Sequence, residues 1–188
     1  MRIGLASDSD GDVDALLRAL DVLARAGVDR VFFLGRRLAD LDAALARRAA
    51  AGPDPLAGRV VRVASRADPE RAAGAPAKVI DLLDGLLCCA VHDKAELTRD
   101  DIANATLLLH GRAPRGALVA IGPRCFVAPG RVRAAAATPG SAAAEPPTCA
   151  VLELGPDGFA LAVLGLDGAE LRRERAAAAG GGGRISVR

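Results

Sequence analysis

Met1-Arg2-Ile3-Gly4-Leu5-Ala6-Ser7-Asp8-Ser9-Asp10-Gly11 runs apolar through Ala6 and then turns abruptly polar, with carboxylates at Asp8 and Asp10. An apolar run that short, closed by Ser, Asp and Gly, reads as a buried strand ending in a turn. Working outward, Val13, Leu16, Leu17, Leu20 and Leu23 recur on one face of a helix over residues 12–26. Asp10 and Asp12 are both suited to cap its N-terminus, and Gly27 closes it. Arg30-Val31-Phe32-Phe33-Leu34 reads as a second strand ending in Gly35-Arg36. A second helix follows from about residue 38 to 51, stopped by Gly52-Pro53, and residues 60–64 form a third strand. This strand–helix alternation argues for a layered α/β domain with a largely parallel start.

The middle of the chain is less regular. Residues 77–83 carry Val79-Ile80-Asp81-Leu82, and Leu86–Val91 reads as a fully buried strand ending at His92. Thr98-Arg99-Asp100-Asp101 has the spacing of a capping box and starts a short helix to Ala105. Leu107-Leu108-Leu109 is another buried strand, ending at His110, and residues 117–121 and 125–128 form two more around Gly122-Pro123-Arg124. Residues 133–147 are an Ala/Pro/Gly linker without periodicity. A hairpin then pairs residues 149–154 with 159–164 around Gly155-Pro156-Asp157-Gly158, and residues 169–174 can add an edge strand. The stretch 176–188, with Gly180-Gly181-Gly182-Gly183, reads as a flexible tail.

Composition narrows the function. Of 188 residues only 2% are aromatic, so the core must be Leu, Val, Ile and Ala, and stacking platforms for single-stranded nucleic acid are missing. The net charge is +2 with both signs interspersed, which demands no nucleic-acid partner. Lysine appears only at Lys78 and Lys94. The Ala/Arg/Gly excess is as much a mark of a GC-rich genome as of function. No apolar run approaches the ~20 residues of a membrane span, and no signal-peptide pattern is visible. Cys88, Cys89, Cys125 and Cys149 lack metal or redox spacing, so the expected setting is a reducing cytoplasm.

The strand ends carry the chemistry. In chain order they present Ser7-Asp8-Ser9-Asp10, Gly35-Arg36, Ser65-Arg66-Ala67-Asp68, His92-Asp93, Leu109-His110-Gly111-Arg112 and Ala128-Pro129-Gly130-Arg131. This succession resembles the calcineurin-like metallophosphoesterases of the small YfcE-like type. There the corresponding ends read S-D-x-H, G-D, G-N-x-D, a histidine before glycine, G-H-x-H and an N-P-G-S turn. The resemblance spans residues 1–175 and implies an α/β, layered metallophosphoesterase-like fold, two packed β-sheets flanked by helices.

In such proteins two metal ions, bridged by the aspartate of G-D, activate a water against a phosphate ester. Here Arg36 stands at the bridging position and Arg66 at the asparagine position. Unit charges about 4 Å apart interact by roughly 4 kcal/mol at an effective dielectric near 20, and a divalent ion doubles that. The resemblance therefore implies a catalytically degenerate protein, expected to hold no cofactor and to act by binding a protein partner. Arg36, Arg66 and Arg112 would hold a phosphate-containing small molecule, or else pair with Asp8 and Asp10. The retromer subunit of the same fold is a precedent for such a scaffold. The alternative is a residual phosphodiesterase or phosphatase with a single Mn or Zn ion on Asp8, Asp10, His92 and His110. The structural alternatives stand beside these: carboxylates at a helix N-terminus often only cap it, and strand-end histidines are often only packed.

Overall fold

A computed structural model describes residues 1–72, 74–133 and 145–177. The chain opens with β1 (Arg2–Ala6), α1 (Val13–Arg25), β2 (Arg30–Phe33), α2 (Leu38–Ala51) and β3 (Val60–Arg62). A single turn, α3 (Pro69–Ala72), leads to β4 (Lys78–Leu83) and β5 (Leu86–Val91). A 3-10 turn (Lys94–Glu96), α4 (Arg99–Asn104), β6 (Leu107–His110), β7 (Gly116–Ile121) and β8 (Arg124–Pro129) follow. Three antiparallel strands, β9 (Thr148–Gly155), β10 (Gly158–Gly165) and β11 (Glu170–Ala177), complete the described chain.

The strands make two sheets, ordered β11-β10-β9-β1-β2-β3 and β4-β5-β6-β8-β7. As the alternation of strands and helices predicts, β1, β2 and β3 run parallel. Alternate side chains of both sheets meet in one core: Ile3, Leu5 and Phe32 from the first, with Cys88, Ala90, Leu107, Leu109 and Val127 from the second. The outer face of the first sheet is covered by α1 and α2, through Leu16, Leu20, Leu23, Leu38 and Leu41. The outer face of the second sheet has thinner cover, where Cys89, Val91 and Leu108 lie under Ala105 and Leu97.

Several expectations are refined. Asp12 alone caps α1, accepting the Ala15 N–H at 2.9 Å, while Asp10 takes a left-handed backbone (φ 44°) and points elsewhere. Nothing in its own sequence caps α2: its first residue, Leu38, donates to the Asp68 carboxylate at 2.6 Å, a partner from another strand end. The Thr98–Asp101 capping box is present as read. β11 continues through Ala177, three residues past the edge strand expected over 169–174. The linker expected over 133–147 falls largely on residues 134–144, outside the described residues, as does the rest of the tail.

The four cysteines are free and buried, and burial pushes the Cys89 and Cys125 thiols up to about 11, which leaves them inert at neutral pH. No helix among the described residues is long and apolar enough to cross a membrane.

Candidate functional site: the strand-end cleft

Parallel strands deliver their carboxyl ends to one edge, and in open α/β sheets that edge is where ligands sit. Here β1, β2, β5 and β6 converge through backbone contacts. The Leu34 N–H bonds Ala6 O at 2.9 Å, and the Gly111 and Arg112 N–H groups both bond His92 O, at 2.9 and 2.7 Å. The segment after β8 joins them, since Val132 N–H bonds Ser7 O at 2.9 Å. This approach is why Gly111 is glycine: a Cβ there would lie 1.9 Å from Leu34 O.

Asp8 is buried at the centre, in a left-handed conformation (φ 50°) that aspartate tolerates better than most residues. Its Oδ1 is 3.7 Å from His92 Nδ1 and has no hydrogen bond; its Oδ2 is 3.6 Å from Arg131 Nε. His92 Nδ1 lies 2.8 Å from the Leu34 carbonyl, which only accepts, so this nitrogen carries the proton. Burial pushes the Asp8 carboxyl above the usual range, and Asp10 adds to it; His92, Arg131 and Ser7 pull the other way.

The candidate residues do not all gather here. Arg36 reaches Asp10 at 3.5 Å rather than Asp8, and the guanidinium beside Asp8 belongs to Arg131, which the sequence reading left out of the site. Its position in the Pro129-Gly130-Arg131 turn was the available signal. Arg66 pairs with Glu96 at 3.3 Å, and Arg112 with Asp93 at 2.6 Å. A backbone hydrogen bond from Ala95 and then Arg112 hold the Asp93 carboxyl below its ordinary value. The three arginines therefore answer three different acids.

His110 leaves the cleft altogether. Leu107 and Leu109 point into the core between the sheets and Leu108 to the outer face. With the period of two, His110 shares the outer side, whereas His92 shares the inward side of Cys88 and Ala90. Asp40, a second buried acid, is committed to the backbone and a hydroxyl: it accepts from Ser9 Oγ at 2.8 Å and Gly11 N at 2.7 Å, fixing the loop that carries Asp10.

Two metal ions need a bridging carboxylate and several anionic or imidazole ligands. Asp8, Asp10 and His92 remain at this edge, but the guanidiniums of Arg36 and Arg131 face the two carboxylates. Among the described residues no three His, Cys, Asp or Glu side chains converge as a metal-holding group. The donor set does not fit a two-metal centre. A shallow hollow of about 500 Å³ beside this edge is lined by Asp10, Asp12 and Asp14 with Arg47 and Arg133, a mixed-charge lining in which Asp14 pairs with Arg47 at 2.6 Å.

The whole fold has close counterparts. A conserved uncharacterized protein of Streptococcus pneumoniae, a predicted phosphoesterase, matches with a TM-score of 0.67 and 19% identity, over 94% of this chain and 97% of its own. YfcE, a phosphoesterase from E. coli, gives 0.63 and 19%, over 93% and 98%. Vps29 of Entamoeba histolytica, in a complex with zinc, gives 0.62 and 16%, over 94% and 99%. No family model matches the chain, and no curated protein does. At these identities the likeness shows the fold: two packed mixed sheets with helices, that of the calcineurin-like metallophosphoesterases.

Proposed function

We propose that this chain acts by binding rather than by two-metal hydrolysis, as a catalytically degenerate metallophosphoesterase-fold protein whose strand-end edge meets a protein partner in a reducing, cytoplasmic setting. One observation carries the reading. Asp8 and Asp10, the carboxylates at the end of β1, each face a guanidinium, Arg131 at 3.6 Å and Arg36 at 3.5 Å. Arg36 stands where a hydrolase of this fold would present its bridging carboxylate, and Arg131 adds a second cation beside Asp8. Of the two ligand classes, a protein partner fits better than a free phosphate-type anion. Arg36 is about half exposed and Arg66 and Arg112 more so, but each is already matched by an acid, giving a mixed-charge rim instead of a concentrated positive pocket. That a vacuolar protein-sorting protein shares the fold is compatible with such a role.

A second reading keeps one Mn or Zn ion on Asp8, Asp10 and His92, side chains that would have to close on the ion because they do not converge as they stand. It is favoured by the His92 tautomer, because a proton on Nδ1 shared with a carbonyl leaves Nε2 with its lone pair, the arrangement usual for metal-ligating histidines.

Elemental analysis after incubation with manganese or zinc, run beside turnover of bis-p-nitrophenyl phosphate, separates the readings. The binding reading expects fewer than two ions per chain and no turnover above buffer. Turnover lost on Asp8→Asn, with one or two ions bound, would replace it by a hydrolase.

A further inference from the structure

The outer face of the second sheet carries a second candidate site, unrelated to the Asp8 edge. Its middle is shielded where Cys89, Val91 and Leu108 lie under Leu97 and Ala105, but the β7–β8 margin is not covered. There Val119 is 49% and Ile121 60% exposed, on a strand whose alternate residue Leu118 is buried in the core. Together with Phe126 they line a cavity of about 370 Å³, within the range of small-molecule sites. Three polar side chains border the same cavity: His110, Lys94 and Arg115. Lys94 and Arg115 make no ion pair among the described residues, unlike the arginines of the strand-end edge. His110 Nδ1 is buried without a hydrogen bond, an arrangement that costs folding free energy and that packing alone does not call for. Burial, with help from Lys94 and against the pull of Asp93 (itself paired with Arg112), lowers the His110 pKa to about 4, so its ring is a neutral hydrogen-bonding group at pH 7.

We propose that this cavity binds a small amphipathic carboxylate, its apolar body against Phe126, Val119 and Ile121 and its carboxylate toward Lys94 and Arg115. The apolar lining excludes a bare inorganic anion as the best ligand, because most of the buried surface would go unused. These two cations, without an ion pair among the described residues, select against an amine of the same shape. An aliphatic or aryl acid satisfies both conditions.

Octanoate tests this, with octylamine as the charge control, by titration calorimetry on the full chain. The expected result is saturable octanoate binding in the millimolar range or tighter, with octylamine at least about tenfold weaker. Val119→Asp, at an exposed position, and the double variant Lys94→Glu, Arg115→Glu should each weaken octanoate by about tenfold or more while thermal unfolding stays unchanged. Arg36→Ala should leave binding as it was. The proposal is overturned by no heat at millimolar octanoate, by equal affinity for octylamine, or by indifference to the charge reversals. It is also overturned if sedimentation shows that this margin is buried between two copies that Val119→Asp separates.

Discussion

Asp8 Oδ1 lies 3.7 Å from His92 Nδ1, yet that nitrogen gives its proton to the Leu34 carbonyl at 2.8 Å and the carboxylate oxygen is left buried without a hydrogen bond. The histidine is committed to the Leu34 carbonyl just after β2, so its attraction for Asp8 is only through space. Arg131 supplies the nearer compensation to the other oxygen, at 3.6 Å and itself without a hydrogen bond on that nitrogen. A charge held this way weakens the fold.

Asp8→Asn should therefore stabilise the protein at neutral pH. The folded-state pKa of Asp8 is raised, mainly by burial. An acid so shifted contributes stability that is full below its unfolded pKa and lost as pH rises through its folded pKa. The penalty grows as pH rises through the folded-state value, and the amide removes it; the gain should vanish near pH 3. Relief of a poorly satisfied buried group is worth roughly 1 kcal/mol, and a chain of this size then melts about 2–4 °C higher. Asparagine also tolerates the left-handed backbone at this position. A melting curve shifted downward at pH 7 would mean that Arg131 outweighs the burial.

His110 gives the opposite pH dependence. Its pKa falls from 6.5 to about 4 on folding. A depressed base contributes stability that is present above its unfolded pKa and lost as pH falls through the folded one. Stability should decline between about pH 6.5 and 4, by up to about 1.4 kcal/mol per pH unit from this ring. His110→Gln should flatten that part of the profile, and an NMR titration should find the ring neutral at pH 5.5. A His110 midpoint near 6.5 would contradict the buried placement.

Much of this architecture was legible. α2 runs from Leu38 to Ala51, as read, because its apolar spacing and the Gly52-Pro53 stop coincide. β5 and β6 were visible as apolar runs closed by histidine. What the runs concealed was facing. In Leu107-Leu108-Leu109 every residue is apolar because both sides of that strand are covered, so no alternation reveals which side His110 takes. His92 and His110 look equivalent in sequence and project to opposite faces. The pairing of Arg131 with Asp8 was hidden for another reason: a residue 123 positions after Asp8 is brought beside it by the path of the chain after β8, which local patterning does not encode.

Gly111→Ala should be among the most damaging substitutions in the chain. The new Cβ would meet Leu34 O at 1.9 Å and Ser7 Oγ at 2.6 Å, and the backbone cannot retreat while the Gly111 N–H bonds His92 O. Overpacking against a fixed carbonyl should cost about 3 kcal/mol or more. Gly155→Ala is the control, since its Cβ would meet nothing nearer than Gly158 O at 3.7 Å. Chemical denaturation of both variants checks this; a Gly111→Ala midpoint equal to that of Gly155→Ala would show that β2 and β6 do not approach as closely as described.

Restoring the family-type residues should bring back metal before chemistry, and Arg131 decides when. The triple variant Arg36→Asp, Arg66→Asn, Asp10→His supplies a bridging carboxylate, and histidine, like aspartate, is accepted in the left-handed region that Asp10 occupies. Arg66 is 78% exposed and tied to Glu96, so its replacement should matter least. Arg131 would still stand 3.6 Å from an Asp8 oxygen that the metal needs. A unit charge about 4 Å from a divalent ion opposes it by roughly 8 kcal/mol at an effective dielectric near 20, before the side chain swings toward solvent. Because Arg131 is 37% exposed it can swing, and the residual effect should be nearer one or two decades in affinity. Manganese titration should therefore show weak binding in the triple variant and tighter binding once Arg131→Ser is added. Phosphodiester turnover should stay absent in both, because Arg112 remains locked on Asp93 where an active site would present a histidine. Robust turnover from Arg36→Asp alone would show that the cleft is one substitution from activity and that the remaining arginines do not block it.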